Sequence, residues 1–216
     1  MDYTDGDTST VSVLIDPKVW NYGKAGFDRT HILKGSFVWD LPKASRLVHN
    51  RAVKAVFDDW QISGITTFMS GAPTGVSLSF TYTNDVTGSP TDGARTVMVQ
   101  NPVLPKDQRT FLEAFNVKAF APPVVGTFGN APKDVFRGPG INNWDLSTFK
   151  NIRLPWERCK MQLRGEFYNA FNHTQFSGVN STAQFNPSGV QSNAAFGNYT
   201  SARNPRRIQV ALRLNF

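Results

Sequence analysis

The sequence predicts an all-β fold of long antiparallel strands, each with one apolar and one polar face. Three observations predict it. The first is composition: charged residues are 18% of the 216, aromatics 12%, and 17 Gly with 13 Pro supply turns. So few charges, against roughly 25% in ordinary soluble domains, with so many aromatic and turn residues favour strands over helices. The second is period-two alternation of apolar and polar residues in several windows. The third is window length. Most run to about ten residues, where soluble strands cluster at about 5–6 and a tilted membrane-crossing strand needs about 9–11.

Along the chain, residues 11–15 give a weak strand signal. In residues 31–41, Leu33, Gly35, Phe37, Trp39 and Leu41 alternate with Lys34, Ser36, Val38 and Asp40. Residues 44–58 suit a short helix, with Leu47, Val48, Arg51 and Ala55 at helical spacing. In residues 60–68, Trp60, Ile62, Gly64, Thr66 and Phe68 alternate with Gln61, Ser63, Ile65 and Thr67. Val76, Leu78, Phe80 and Tyr82 form a shorter candidate. In residues 144–154, Trp144, Leu146 and Ile152 oppose Asp145, Ser147, Asn151 and Arg153. In residues 160–171, Met161, Leu163, Gly165, Phe167 and Phe171 oppose Lys160, Gln162, Arg164 and Glu166.

The last ten residues alternate without a break. Ile208, Val210, Leu212, Leu214 and Phe216 share one face, and Arg207, Gln209, Ala211, Arg213 and Asn215 the other. Six or seven strands result. Residues 155–158 form a tight turn, whereas 84–143 and 172–206 are long and rich in loop residues, the unevenness usual in outer-membrane barrels.

Alternation alone suits a soluble sandwich equally well. Strand length, aromatics at strand ends and the charged faces decide for a transmembrane antiparallel β-barrel. Trp39, Trp60, Trp144 and Phe216 suit the two interfacial aromatic girdles. Lys160, Gln162, Arg164 and Glu166 form a polar network suited to a watery lumen. A negative mean hydropathy is compatible with this, because only alternate residues meet lipid.

Other chemistry finds no support. The net charge is +7, but the basic residues are scattered, which argues against nucleic acid. Cys159 is the only cysteine, and His31, His49 and His173 are far apart, so no metal-ligand spacing occurs. Asp28 with His31, Ser70 and Glu166 complete no catalytic constellation, and no phosphate-binding glycine pattern exists. Asp28, Arg29 and His31 are expected to order a strand mouth through local hydrogen bonds. No catalytic, metal or cofactor-binding residue is assigned, and no cofactor is expected. The start, MDYTDGDTST, has neither the basic nor the apolar part of a signal peptide. The expectation is a chain lacking its true beginning.

Phe27-Asp28-Arg29-Thr30-His31 followed by Val38-Trp39-Asp40-Leu41-Pro42 resembles the C-terminal barrel of TonB-dependent receptors of the Oar-like type. So do Asp59-Trp60-Gln61-Ile62-Ser63-Gly64-Ile65 and Ser70-Gly71-Ala72-Pro73, and so do Phe128-Gly129-Asn130, Arg137-Gly138-Pro139-Gly140 and Asn143-Trp144-Asp145-Leu146-Ser147. The strongest match is Leu163-Arg164-Gly165-Glu166-Phe167-Tyr168-Asn169-Ala170-Phe171-Asn172-His173. Phe196-Gly197, Pro205-Arg206, Ile208-Gln209 and Phe216 complete the order.

The resemblance implies a barrel of about 22 strands around an N-terminal plug, of which residues 1–216 would be the last six to eight strands, without plug or signal peptide. It implies TonB-dependent uptake of a large ligand through the outer membrane, with no catalysis. The implied partners are outer-membrane lipid, the barrel-assembly machinery, the TonB system through the missing N-terminal part, and an unidentified ligand. Ile208, Val210, Leu212, Leu214 and Phe216 resemble the assembly machinery's recognition signal, read by strand addition. With Phe216 at the periplasmic end, the 155–158 turn is periplasmic and the long loops are extracellular. The side of the 42–58 loop then depends on whether residues 76–82 cross the membrane. Two alternatives remain: a small stand-alone barrel, structural or adhesive, whose first strand pairs with its last, and a soluble β-sandwich binding module, whose Phe-rich faces meet.

Overall fold

A computed structural model describes residues 15–16, 20–89, 93–153 and 160–215. Most of the weak 11–15 strand, the 155–158 turn, Cys159 and Phe216 lie outside the described residues.

In chain order the strands are β1 (Ile32–Asp40), β2 (Trp60–Met69), β3 (Pro73–Thr74), β4 (Ser77–Phe80), β5 (Val97–Met98), β6 (Phe120–Ala121), β7 (Phe136–Arg137), β8 (Ile141–Arg153), β9 (Lys160–Tyr168), β10 (Phe176–Val179), β11 (Thr182–Phe185), β12 (Tyr199–Ala202) and β13 (Arg207–Asn215). The helix α1 spans Arg51–Phe57. The chain divides into two compact units. A sheet unit comprises His31–Met69, Ile141–Gln175 and Arg203–Phe216, and a loop unit comprises Met1–Thr30, Ser70–Gly140 and Phe176–Ala202.

The sheet unit is one five-stranded sheet in the order β1-β2-β8-β9-β13, and every neighbouring pair is antiparallel. Its register follows from the alternation. Trp39 faces Ile62, Ile62 faces Thr148, Thr148 faces Gly165 and Gly165 faces Val210. One residue along, Asp40, Gln61, Phe149, Arg164 and Ala211 form the next row, on the opposite face. The apolar sets of five separate strands thus lie on a single face. A slip of one residue in any strand would turn its apolar set to the polar side, which fixes the pairing. Gly64 has a packing role on the apolar face: a Cβ there would stand 2.5 Å from the Phe37 ring and 2.8 Å from Leu146 Cδ2. The Phe37 ring occupies the space that the missing side chain leaves.

The structure departs from the sequence reading in three places. The predicted strand at 76–82 does not join this sheet: β4 pairs in parallel with β11 in the loop unit, where Val76 is buried among phenylalanines. Among the described residues five strands therefore form the sheet. Strand β9 ends at Tyr168, because Asn169 adopts a left-handed backbone (φ 49°), so Phe171 leaves the apolar row. The helix expected over 44–58 is broken at Asn50, whose backbone is extended and whose Oδ1 accepts from the Ala52 N–H at 2.8 Å. An Asn side chain is worth more there as a cap than inside a helix, so Leu47 and Val48 precede α1 after a 3-10 turn at Ala44–Arg46. The side of the 42–58 loop, left open by the sequence, follows from the register: Met69 faces Ile141 directly, so residues 70–140 leave and rejoin the sheet at one end. The 41–59 turn consequently lies at the sheet end where the backbones of Arg153, Lys160 and Asn215 pair.

The loop unit is built around phenylalanine. Phe115 stacks on Phe136 at 4.4 Å and meets Phe196 edge-on at 5.2 Å. Val76, Phe120, Phe185, Ala114, Ala119 and Ala183 complete the buried cluster. Each buried Phe contributes about 1.5–3 kcal/mol by burial, and edge-on ring pairs add about 1 kcal/mol. The strands around this core are two-stranded ladders of two to four residues.

Candidate functional site

The polar face of the sheet brings together the charged residues singled out on β9. Gln162 Nε2 donates to Asn151 Oδ1 on β8 at 2.9 Å. The Arg164 guanidinium lies over the Phe149 ring at 5.0 Å, with Glu166 at 4.0 Å. Glu166 also accepts from the Tyr168 hydroxyl at 3.0 Å. Lys160 is exposed at the strand end, where its backbone faces Arg153 and Asn215. On the neighbouring pair, Gln61 Nε2 donates to Asp40 Oδ1 at 2.8 Å. The Gln162–Asn151 and Gln61–Asp40 bonds cross strands, whereas the Glu166 contacts run along β9 and Arg164 Nε is buried without a hydrogen-bond partner.

At the end of this face farthest from the 41–59 turn lies an open cleft of about 840 Å³. Asn143, Asp145, Tyr168, Gln175, Arg203 and Arg207 line it. Gln175 is buried, and its Nε2 donates to Asn143 Oδ1 at 3.1 Å. Its Oε1 has no hydrogen-bond partner. The wall of the cleft is shaped by the Asn-Ala-Phe-Asn-His segment. Asn169 is buried: its Nδ2 donates to the carbonyls of His173 at 3.0 Å and Asn204 at 3.3 Å, and its Oδ1 accepts from His173 N at 3.0 Å. The Asn169 N–H reaches Asp145 at 2.9 Å, and Asn172 Oδ1 accepts from Arg206 N at 3.0 Å. One short segment thus ties β8, β9 and the start of β13 together. The motif is visible in the sequence; the role of its asparagines as a knot of side-chain to backbone bonds is not.

The apolar face carries the other predicted residues. On β13, Val210 is 71% exposed and Ile208, Leu212 and Leu214 nearly as much. Trp39 and Trp60 lie near the 41–59 end, and Trp144 near the other end, where Phe68 and Phe171 each meet it edge-on at 5.8 Å. From Trp60 to Phe68 eight residues, at about 3.3 Å each, span about 26 Å along the strand, or about 20 Å along a normal tilted by about 40°. Sequence reasoning missed Lys150, which shares this face. It is buried, its Nζ donates to the Asp58 carbonyl, and it lies 5.7 Å from the Trp60 ring. The available signal was a lone lysine at an apolar position of an alternating strand.

In the loop unit Asp28 and Arg29 make the local bonds expected of them, Arg29 Nη1 donating to the carbonyls of Asp28 at 2.8 Å and Gly26 at 3.0 Å, and the Asp28 carboxylate also has a distant partner. Arg137 Nη2 donates to Asp28 Oδ2 at 2.5 Å, and its Nη1 reaches the carbonyls of Gly71 at 3.1 Å and Asp28 at 3.3 Å. Gly71 must be glycine, because a Cβ would stand 1.8 Å from the Gly138 carbonyl oxygen. Three motifs far apart in sequence meet at this one guanidinium. Among the described residues no three His, Cys, Asp or Glu side chains gather as metal ligands. No helix among them is long and apolar enough to cross a membrane.

The decisive observation is the predominantly apolar face that runs across five strands of crossing length. The chain belongs to the outer membrane beta barrel domain family. The family model matches residues 1–209. Comparison with curated proteins and with solved structures finds no match. Membership places this outer membrane beta barrel domain in the bacterial outer membrane. Among the described residues the barrel is not closed: β1 and β13 are the two edges of the sheet.

Proposed function

We propose that this chain is a sector of the barrel wall of a TonB-dependent transporter of the Oar-like type, and that it moves a large ligand without catalysing a reaction. The observation that carries the reading is the polar face. It presents Arg164, Glu166, Gln162, Tyr168 and Gln209 on adjacent strands, an inner surface that suits a wide, watery or plugged lumen. Narrow eight-stranded barrels fill their interior with side chains instead. The ordered motifs shared with Oar-like receptors support the same reading, and so does the size of the 70–140 insertion, large enough to contribute to a folded unit of its own.

In this reading Ile208, Val210, Leu212 and Leu214 face lipid, and together with Phe216 they supply the signal read by the barrel-assembly machinery. Trp39, Trp60 and Trp144 sit at the two membrane interfaces. Lys160, Gln162, Arg164 and Glu166 face the lumen. The two sheet edges pair with further strands, because lipid satisfies no open edge. The cleft beside Gln175 and Arg207 then opens on the extracellular side of the lumen. Cross-linking in intact cells tests this. A species containing both TonB and the protein is expected. Its absence, with the protein assembled in the outer membrane, overturns the reading.

A further inference from the structure

The 41–59 turn is long for a connection between neighbouring strands, and its side chains are oddly disposed. Leu47 is 88% exposed, and Val48, Val56 and Phe57 are more than half exposed. Interleaved with them are the exposed cations Arg46, Arg51 and Lys54, which have no acidic partner among the described residues. The two acids of the segment are already engaged. Asp58 is buried and accepts from the N–H and hydroxyl of Ser45, and Asp59 lies 3.6 Å from Lys43. The surface therefore offers apolar groups and positive charge with no free negative charge.

This segment is also anchored at a defined place. Trp60 Nε1 donates to the Val56 carbonyl at 2.8 Å, which fixes the last turn of α1 against an aromatic of the apolar face. Lys150, on the same face, donates to the Asp58 carbonyl. The amphipathic segment thus continues the apolar face at the end marked by Trp39 and Trp60. A short helix with an apolar side and a basic side, held at that level, has the composition of an interfacial element. Basic residues there attract anionic headgroups.

We propose that residues 46–57 form a binding surface for anionic phospholipid, with Leu47, Val48, Val56 and Phe57 entering the headgroup boundary and Arg46, Arg51 and Lys54 contacting phosphatidylglycerol. The inference rests on the apolar face of the sheet lying against lipid.

The test uses the full chain in nanodiscs of phosphatidylcholine, with or without phosphatidylglycerol. Cys159→Ser is the background, and an environment-sensitive fluorophore is placed on Leu47→Cys or, as the control, on Val210→Cys. With phosphatidylglycerol, the Leu47 label is expected to be shielded from iodide several-fold and quenched by a headgroup nitroxide. Combined Arg46→Glu, Arg51→Glu and Lys54→Glu changes are expected to return it to the phosphatidylcholine value while the Val210 label stays shielded. A wet Leu47 label beside a shielded Val210 label overturns this inference and leaves the membrane reading of the sheet standing. Wet labels at both positions overturn the two together. Shielding of Leu47 that ignores lipid charge, or that rises with protein concentration, also overturns it, the latter pointing to a second copy.

Discussion

Asn169→Ala removes the centre of the knot that joins β8, β9 and β13. Three side-chain hydrogen bonds disappear: two donated by Nδ2 to the carbonyls of His173 and Asn204, and one accepted from His173 N. At about 1 kcal/mol each for partners left in a buried position, they amount to about 3 kcal/mol. The backbone adds to this, since Asn169 sits at φ 49°, where alanine costs about 1–2 kcal/mol. The expected loss for Ala is therefore about 4–5 kcal/mol. Asn169→Gly loses the same bonds without the backbone strain and is expected to recover about 1 kcal/mol. The assay is denaturant unfolding of the chain in lipid vesicles, followed by tryptophan fluorescence. A Gly variant as stable as the parent would show that the bonds contribute nothing. A Gly variant no better than Ala would refute the backbone contribution.

Three further outcomes are expected. Arg137→Ala should destabilise the loop unit by about 2 kcal/mol, because its half-exposed contact to Asp28 adds little and its two carbonyl bonds about 1 kcal/mol each; hydrogen exchange of residues 70–75 reads this, and Arg137→Lys should recover at most half. Ser45→Ala should loosen the 41–59 turn in a pH-dependent way. The Ser45 hydroxyl and N–H hold the Asp58 carboxyl below its ordinary value of 3.8. A carboxylate depressed on folding stabilises above its unfolded value and loses that contribution as pH falls through the folded one. The difference in protease resistance between the parent and the Ser45→Ala variant should be full at neutral pH and vanish well below 3.8. Phe216→Ala should lower outer-membrane assembly, measured by surface labelling, and leave translation unchanged.

The five long strands were legible because each carries its own two faces in sequence, and the register only had to align them. Ile208 to Leu214 could be read without any partner. What could not be read was decided by partners distant in sequence. Residues 76–82 alternate like a crossing strand, yet Val76 finds its burial among Phe115, Phe136 and Phe185. Asp28 pairs with a guanidinium 109 residues away. Lys150 breaks the apolar pattern, and only the fold reveals that the Asp58 carbonyl waits for it. On the polar face, alternation named Lys160, Gln162, Arg164 and Glu166, but the cleft's Gln175 and Arg203 lie in the loop between strands, where no periodicity marks a residue.

The central claim is that one face of this sheet meets lipid and the other water. Gln209 and Val210 are adjacent in sequence and lie on opposite faces. Single cysteines at the two positions, in the Cys159→Ser background, would be probed in assembled outer membranes with a water-soluble maleimide. Gln209→Cys is expected to be labelled and Val210→Cys to be protected until the membrane is dissolved. Equal labelling, or protection at Gln209 alone, would contradict it.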